Sequence, residues 1–336
     1  MGLLSAQIST RDLVPLCRQL ATSYDAGIPI LRSIALVREN ARDAKTREVL
    51  LHMENSITRG ASLGEAAAAQ SKHLPVFLIQ LLDAGEHGGR LDVMLRDLAN
   101  YYEDRQRMTR QVIGEMIFPG LQLIAAWFLG TFALGLVRQL NFDFNINRYL
   151  GQYIAFQISA LTIFGILAVV AILLARAGTW KYIWGWAANK IWPFSNVTQK
   201  FALARFFRSF ALLVGSGLNI KQCIRGAAAT TANPYIEKDL LQAIPIVSDG
   251  ATLVQAFAPV RCLTRTAREM LMVGEESGRL DVSLNKVAEY HLAEATAALQ
   301  AAGRILRVML TLGMGLLVGY IVISFYSSYF SFLDSI

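Results

Sequence analysis

Charge is scarce in this chain. Only 17% of its 336 residues are Asp, Glu, Lys or Arg, against about 25% in a typical soluble protein. Apolar residues make up 54%, and that surplus needs a location. Three windows without any charge supply one: Glu115 to Arg138, Arg148 to Arg176, and Arg307 to Asp334. A helix rises about 1.5 Å per residue, so roughly 20 residues cross the hydrocarbon core of a bilayer. The windows therefore predict membrane-spanning helices over 116–137, 153–175 and 308–333. Another apolar run, from Ser209 to Ile220, is too short to cross and reads as core. No cleavable signal peptide is expected, because Arg11, Asp12 and Arg18 interrupt the first twenty residues.

Cysteine and histidine are equally sparse. Cys17, Cys223 and Cys262 are odd in number and far apart, which argues against a disulfide framework and for small, reduced, buried side chains. His52, His73, His87 and His291 have no second His or Cys at ligand spacing, so neither a metal nor a cofactor is expected. A Gly-x-x-x-x-Gly-Lys-Ser/Thr loop is missing, which excludes a nucleotide-driven motor of that type. Ser62 and Thr252 fit helix caps better than nucleophiles. The pI of 9.4 comes with no arginine-rich tract and no zinc-finger spacing. The basic excess lies in 176–304, while 1–115 balances, so it suits orientation and anionic headgroups rather than nucleic acid. The windows also contain no acidic or basic residue, so ion-coupled transport lacks its usual relay.

Basic residues set the expected orientation. Arg304 and Arg307 precede the last window, and nothing basic follows it. The positive-inside rule then places 176–304 in the cytoplasm. Two crossings earlier, 1–115 falls there too, leaving 138–152 as a short external loop and the C-terminus outside. The stretch "WKYIWGWAANKIW" after the second window has the mixed Trp and Lys of a headgroup layer.

What the chain does have is an internal repeat. "CRQLATSYDAGIPILRSI" from Cys17 matches "FRSFALLVGSGLNIKQCI" from Phe207, an offset of 190. "RGASLGEA" around Gly60 meets "DGATLVQA" around Gly250 at the same offset. One residue is then lost, and "GEHGGRLDVML" from Gly85 meets "GEESGRLDVSL" from Gly274 at an offset of 189. Leu13, Cys17, Leu20, Ala21 and Tyr24 share one helical face, as do Leu91, Leu95, Leu98 and Tyr102, and Leu280, Leu284, Val287 and His291. Gly27 ends a helix and Pro29 opens the next, while Ser62 and Glu65 form a capping-box spacing. Strand alternation is absent. The fold class is therefore all-α: two homologous cytoplasmic helical bundles and three transmembrane helices, with the last helix of each bundle continuing into a span. Pro119 and Gly120 allow a kink there.

The repeated signature Gly-Glu-x-x-Gly-Arg-Leu-Asp carries the candidate site: Gly85, Glu86, Gly89, Arg90 and Asp92, then Gly274, Glu275, Gly278, Arg279 and Asp281. One reading is structural. The first glycine closes a helix, the second supplies a positive φ, Arg90 pairs with Glu86 and Arg279 with Glu275, and each aspartate sits at a helix start. The other is a charged corner shown to a partner, and the two are compatible. Glu86 and Glu275 are also candidates for a divalent cation. In the spans, Gln122 and Gln157 are placed to hydrogen-bond between helices. Gly315 and Gly319 form a small-xxx-small pair that favours close packing or self-association.

The combined pattern "QLATSYDAGIPILRSI … ITRGASLGEA … DAGEHGGRLDVMLRDLANYYED" resembles the type II secretion F family over nearly the whole chain. These are inner-membrane platform proteins of type II secretion and type IV pilus assembly. The resemblance implies six-helix cytoplasmic modules and a scaffold rather than an enzyme. It also implies contacts with a cytoplasmic assembly ATPase, pilin-like or pseudopilin subunits, other inner-membrane assembly proteins and further copies of itself. Two features depart from the family. The segment before the first module is almost absent, since the module begins near Leu13, and "LQAAGRILRVML" lacks a Glu-Pro pair before the last span. The competing classes are a small-solute transporter, which needs polar residues inside its spans, and a signalling receptor, which needs an external domain larger than about fifteen residues.

Overall fold

A computed structural model of the chain describes residues 7–139, 145–176 and 194–333. Among the described residues every regular element is a helix. The predicted headgroup stretch, the middle of the external loop (140–144) and the tail 334–336 lie outside them.

The first copy contains α1 (Thr10–Asp25), α2 (Ile30–Asn40), α3 (Ala44–Thr58), α4 (Leu63–Ala69), α5 (Val76–His87) and α6 (Leu91–Gln139). Short polar side chains start three of them. Ser9 accepts from the Asp12 amide, Asp43 from Thr46 and Ser62 from Glu65. Each satisfies an N–H that the helix itself leaves unpaired. Gly27 and Gly60 turn the chain at φ 80° and 96°, where a side chain would be strained. The face of α1 predicted from spacing is buried at Leu13, Cys17, Leu20 and Ala21, and Tyr24 packs on the core edge.

The second copy contains α8 (Phe194–Gly215), α9 (Ile220–Ala229), α10 (Pro234–Leu241), α11 (Ala243–Ser248), α12 (Leu253–Ala256), α13 (Arg265–Glu276) and α14 (Leu280–Leu333), preceded by α7 (Ile146–Arg176). It has one segment more than the six expected. At the repeat offset, α10 and α11 together cover the ground of α3. Pro245 explains the break: it has no N–H to give the Leu241 carbonyl, and its ring crowds that oxygen. Asn55 stands at the matching place in the unbroken α3.

Residues Met1–Arg110 and Lys181–Ala298 form one compact unit, so the two copies are not separate domains. A single apolar cluster runs through both, with Phe77, Leu78 and Leu81 from the first copy and Phe206, Phe210 and Phe257 from the second. Helix α5 packs on α8 and α9. Gly226 leaves room there: a Cβ would lie 3.0 Å from Leu213 Cδ1 and collide with the Gln80 side chain. Cys17 and Cys223 are buried and all three cysteines are free, with Cys262 half-buried.

Gln111–Trp180 and Leu299–Ile336 form the second unit. Among the described residues three helices are long and apolar enough to cross a membrane, within Leu91–Val137, Ile146–Leu173 and Leu280–Ser327. Their large apolar side chains are mostly exposed, with Leu316 at 78%, as suits a surface solvated by lipid. α7 starts at Ile146, inside the expected loop, and α6 runs on through Pro119. Both predicted glutamines bond between helices. Gln157 accepts from Trp127 Nε1 at 3.0 Å and donates to Thr131 Oγ1 at 2.9 Å, and Gln122 donates to Thr311 Oγ1 at 3.3 Å. A Cβ on Gly315 or Gly319 would meet nothing within 4 Å, so among the described residues they pack against no other helix. Other glycines do: Gly130 meets Leu317 at 2.8 Å and Gly135 meets Tyr149 Oη at 2.9 Å.

Candidate functional site

The repeated corner joins three helices in each copy. α5 ends in a Schellman turn, which needs a left-handed residue after the helix. Gly89 supplies it at φ 62°. The Arg90 amide then donates to the Gly85 carbonyl at 2.9 Å, and Gly89 to Glu86 at 3.3 Å. The Arg90 carbonyl at once accepts from Met94 and starts α6. The second copy repeats this with Gly278 at φ 67°, Arg279 to Gly274 at 3.1 Å and Gly278 to Glu275 at 3.3 Å.

The first glycine of the signature does not close a helix. Gly85 and Gly274 lie inside α5 and α13, both buried. A Cβ on Gly85 would stand 2.9 Å from Met94 Cβ and 3.2 Å from Leu91 Cα. On Gly274 it would stand 2.8 Å from Ser283 Cβ and 3.3 Å from Leu280 Cα. Each glycine lets two helices approach more closely than any side chain permits.

Nor does the glutamate pair with its neighbouring arginine. Glu86 reaches a different helix, where its Oε1 accepts from the Leu63 amide at 2.8 Å and its Oε2 from Gly64 at 3.0 Å. Glu275 accepts from Leu253 at 2.7 Å and Val254 at 3.1 Å. These are the first two amides of α4 and α12, among the donors a helix cannot satisfy internally. The capping boxes take the next ones: Ser62 with Glu65 at 3.0 Å in both directions, and Thr252 with Gln255 at 3.2 Å in both directions. A carboxylate at a helix N-terminus also meets the positive end of the dipole. The Glu-over-helix contact therefore fixes α4 to α5 and α12 to α13.

Both oxygens of each glutamate are committed to backbone amides, and among the described residues no group of three His, Cys, Asp or Glu comes together. Arg90 and Arg279 are exposed, and neither makes an ion pair or side-chain hydrogen bond among the described residues. Asp92 and Asp281 lie in the first turns of α6 and α14. His87 is exposed, and its Nδ1 sits 3.0 Å from the Asp83 carbonyl. That carbonyl first, then the Asp83 carboxylate, raises its pKa.

One buried polar group was legible only as part of a face. His291 is fully buried, stacked on Phe207, with Nε2 3.1 Å from Thr264 Oγ1. Burial lowers its pKa, which Glu294 opposes.

Comparison with known proteins gives the same duplication. The type II secretion system (T2SS) protein F family matches residues 16–137 and again 206–327. Each match takes in one copy of the corner and one apolar helix after it. The chain is 24% identical to the type IV pilus assembly protein PilC of Myxococcus xanthus over 345 residues, spanning 98% of this chain and 82% of the relative. It is 26% identical to PilC of Thermus thermophilus, spanning 97% and 84%. With type II secretion system protein F of Aeromonas hydrophila it shares 25%, over 94% and 85%. A family match on both halves, in register with the internal repeat, places this chain in the type II secretion system protein F family.

Proposed function

We propose that the chain is the inner-membrane platform of a type II secretion or type IV pilus assembly machine. In that role it couples a cytoplasmic assembly ATPase to the polymerisation of pilin-like or pseudopilin subunits. The observation that carries this reading is the double family match, each half including a bundle and the apolar helix that follows. The relatives' names supply the two machines.

The topology belongs to the same proposal: spans over 116–137, 153–175 and 308–333, modules 1–115 and 176–304 in the cytoplasm, and the C-terminus outside. The positive-inside rule supports it at Arg304 and Arg307. Arg307 also lies 4.9 Å above the Phe118 ring, an arrangement suited to a headgroup boundary. Within each module the corner's exposed cations, Arg90 and Arg279, are the residues left free to meet a partner, since Glu86 and Glu275 hold helices. Gly315 and Gly319, bare in the single chain, are the surface for a second copy.

Purification of the full chain from its native membrane after crosslinking tests the role. Recovery of an assembly ATPase with pilin-like subunits is the expected result. A preparation that moves a solute across vesicles with no partner protein contradicts it. For the topology, Ser335→Cys should react with an impermeant maleimide added outside the cell, and His87→Cys should not; the reverse pattern overturns the orientation.

A further inference from the structure

The two copies treat one arginine differently. In the first, Arg18 on α1 holds Glu103 of α6 through two bonds of 2.6 Å, with a third of 3.0 Å to Asn100. Its repeat counterpart is Arg208 on α8, but the counterpart of Glu103 is Leu292. Arg208 is left to donate to Asn285 Oδ1 at 2.8 Å, and among the described residues no carboxylate lies within ion-pair distance of it.

Arg208 lines a cavity of about 110 Å³ where α6 of the first copy meets α8 and α14 of the second. Two further guanidiniums line it. Arg205 donates to the Thr231 carbonyl, yet its Nε is sealed from solvent and has no partner among the described residues. Arg105 makes no ion pair or side-chain hydrogen bond among the described residues. One turn earlier, Tyr101 is 3% exposed and its hydroxyl also has no partner among the described residues. Burial first, then the Arg105 charge, lowers the Arg205 pKa to about 10, so it stays charged at neutral pH. Two carboxylates share the lining without neutralising it. Asp104 lies 3.8 Å from Arg107 instead, and Glu289 is exposed. Neither comes within 4.0 Å of the three guanidiniums.

Like charges gathered around one cavity are unfavourable, and an anion between them relieves the repulsion. We propose that this cavity is a binding site for a phosphate-class oxyanion. Arginine forks match the oxygens of such an ion. The volume narrows the choice. About 110 Å³ has room for a small tetrahedral anion and lies well below the roughly 300–1,000 Å³ of sites that enclose a drug-sized ligand. The Arg18–Glu103 pair shows, within the same fold, what this arginine does when an anionic partner is present. The inference stands on these residues and does not depend on the assembly role.

The test uses the full chain in detergent, titrated with inorganic phosphate by calorimetry in buffer free of phosphate and sulfate. One ion should bind per chain. Arg105→Gln should weaken binding at least tenfold, while Arg18→Gln, whose pair lies away from the cavity, should leave the Kd unchanged. Leu292→Glu is the decisive variant, because it gives Arg208 the carboxylate that Arg18 has. It should abolish phosphate binding while unfolding at or above the parent temperature, which separates an occupied site from a misfolded one. AMP as competitor distinguishes the source of the phosphate. Displacement assigns the site to a monoester carried by a larger molecule, and failure to displace assigns it to the free ion; both sustain the site. Lack of binding by the parent chain overturns the proposal, as does a folded Leu292→Glu chain that binds with parental affinity.

Discussion

Removing the Glu86 carboxylate should loosen α4 without touching the turn in which Glu86 sits. In Glu86→Ala the amides of Leu63 and Gly64, both on buried residues, lose acceptors at 2.8 and 3.0 Å. A hydrogen bond to a charged group contributes about 1.5–3 kcal/mol, and a lost helix cap costs about 0.5–2 kcal/mol. Water reaches the half-buried carboxylate, so the pair together is worth about 2–4 kcal/mol rather than the full sum. For a unit of this size each kcal/mol moves the midpoint by about 2–4 °C, giving a fall of about 4–16 °C. Glu86→Gln keeps one acceptor but aims an amide at the other N–H, and should lose roughly half to most of that. The assay is thermal unfolding of the full chain in detergent, with hydrogen exchange at Leu63 and Gly64 as the local readout. Exchange there should accelerate by at least tenfold, while exchange at Arg90 in the turn changes least. If Glu86→Ala melts with the parent while Arg90→Glu collapses the fold, the local ion pair governs the corner and the reasoning fails.

Gly85→Ala should destabilise by about 1–3 kcal/mol, because Met94 Cβ and Leu91 Cα must both retreat from the new methyl; denaturant unfolding checks it, and a neutral result refutes the close approach. Gln157→Leu strands Trp127 Nε1 in the apolar unit, while Thr131 Oγ1 keeps its bond to the Trp127 carbonyl, and should cost about 0.6–2 kcal/mol, measured by detergent-induced unfolding. His291 predicts a pH dependence. Its pKa is lowered on folding, so its neutral, buried form supports the fold above the ordinary imidazole range, and that support is lost as pH falls through the depressed value. The melting temperature should therefore drop between pH 7 and 5, and His291→Phe, still able to stack on Phe207, should flatten that slope.

The elements most legible in the sequence were those whose cause is local. Charge-free windows became long apolar helices, and Ser62 with Glu65 became a capping box, because each depends on neighbours within a turn or on a simple run. The error over Glu86 has the same origin. Arg90 stands four residues away and invites an ion pair, whereas the true partners, Leu63 and Gly64, lie more than twenty residues back and arrive only through tertiary packing. Gly85 was misread likewise, since its cause is Met94 across a helix crossing. Two missed features did leave a trace. Pro245 opposite Asn55, and Leu292 opposite Glu103, are visible once the copies are aligned, and each marks where the second copy departs from the first. The seam between copies left no such trace: neither Gln80 nor Gly226 belongs to a motif.

That seam sets a timetable for synthesis. The face of α5 that rests on α8 and α9 has nothing to cover it until the ribosome has translated the intervening apolar helices and the second copy. At about 5–20 residues per second, roughly ten to forty seconds separate the emergence of the two halves. Through that interval the nascent N-terminal half carries a sticky surface next to a membrane, so its survival rests on holding chaperones or on very prompt insertion of the first hairpin. A gene split between the copies should yield a first polypeptide that aggregates unless the second is made alongside it.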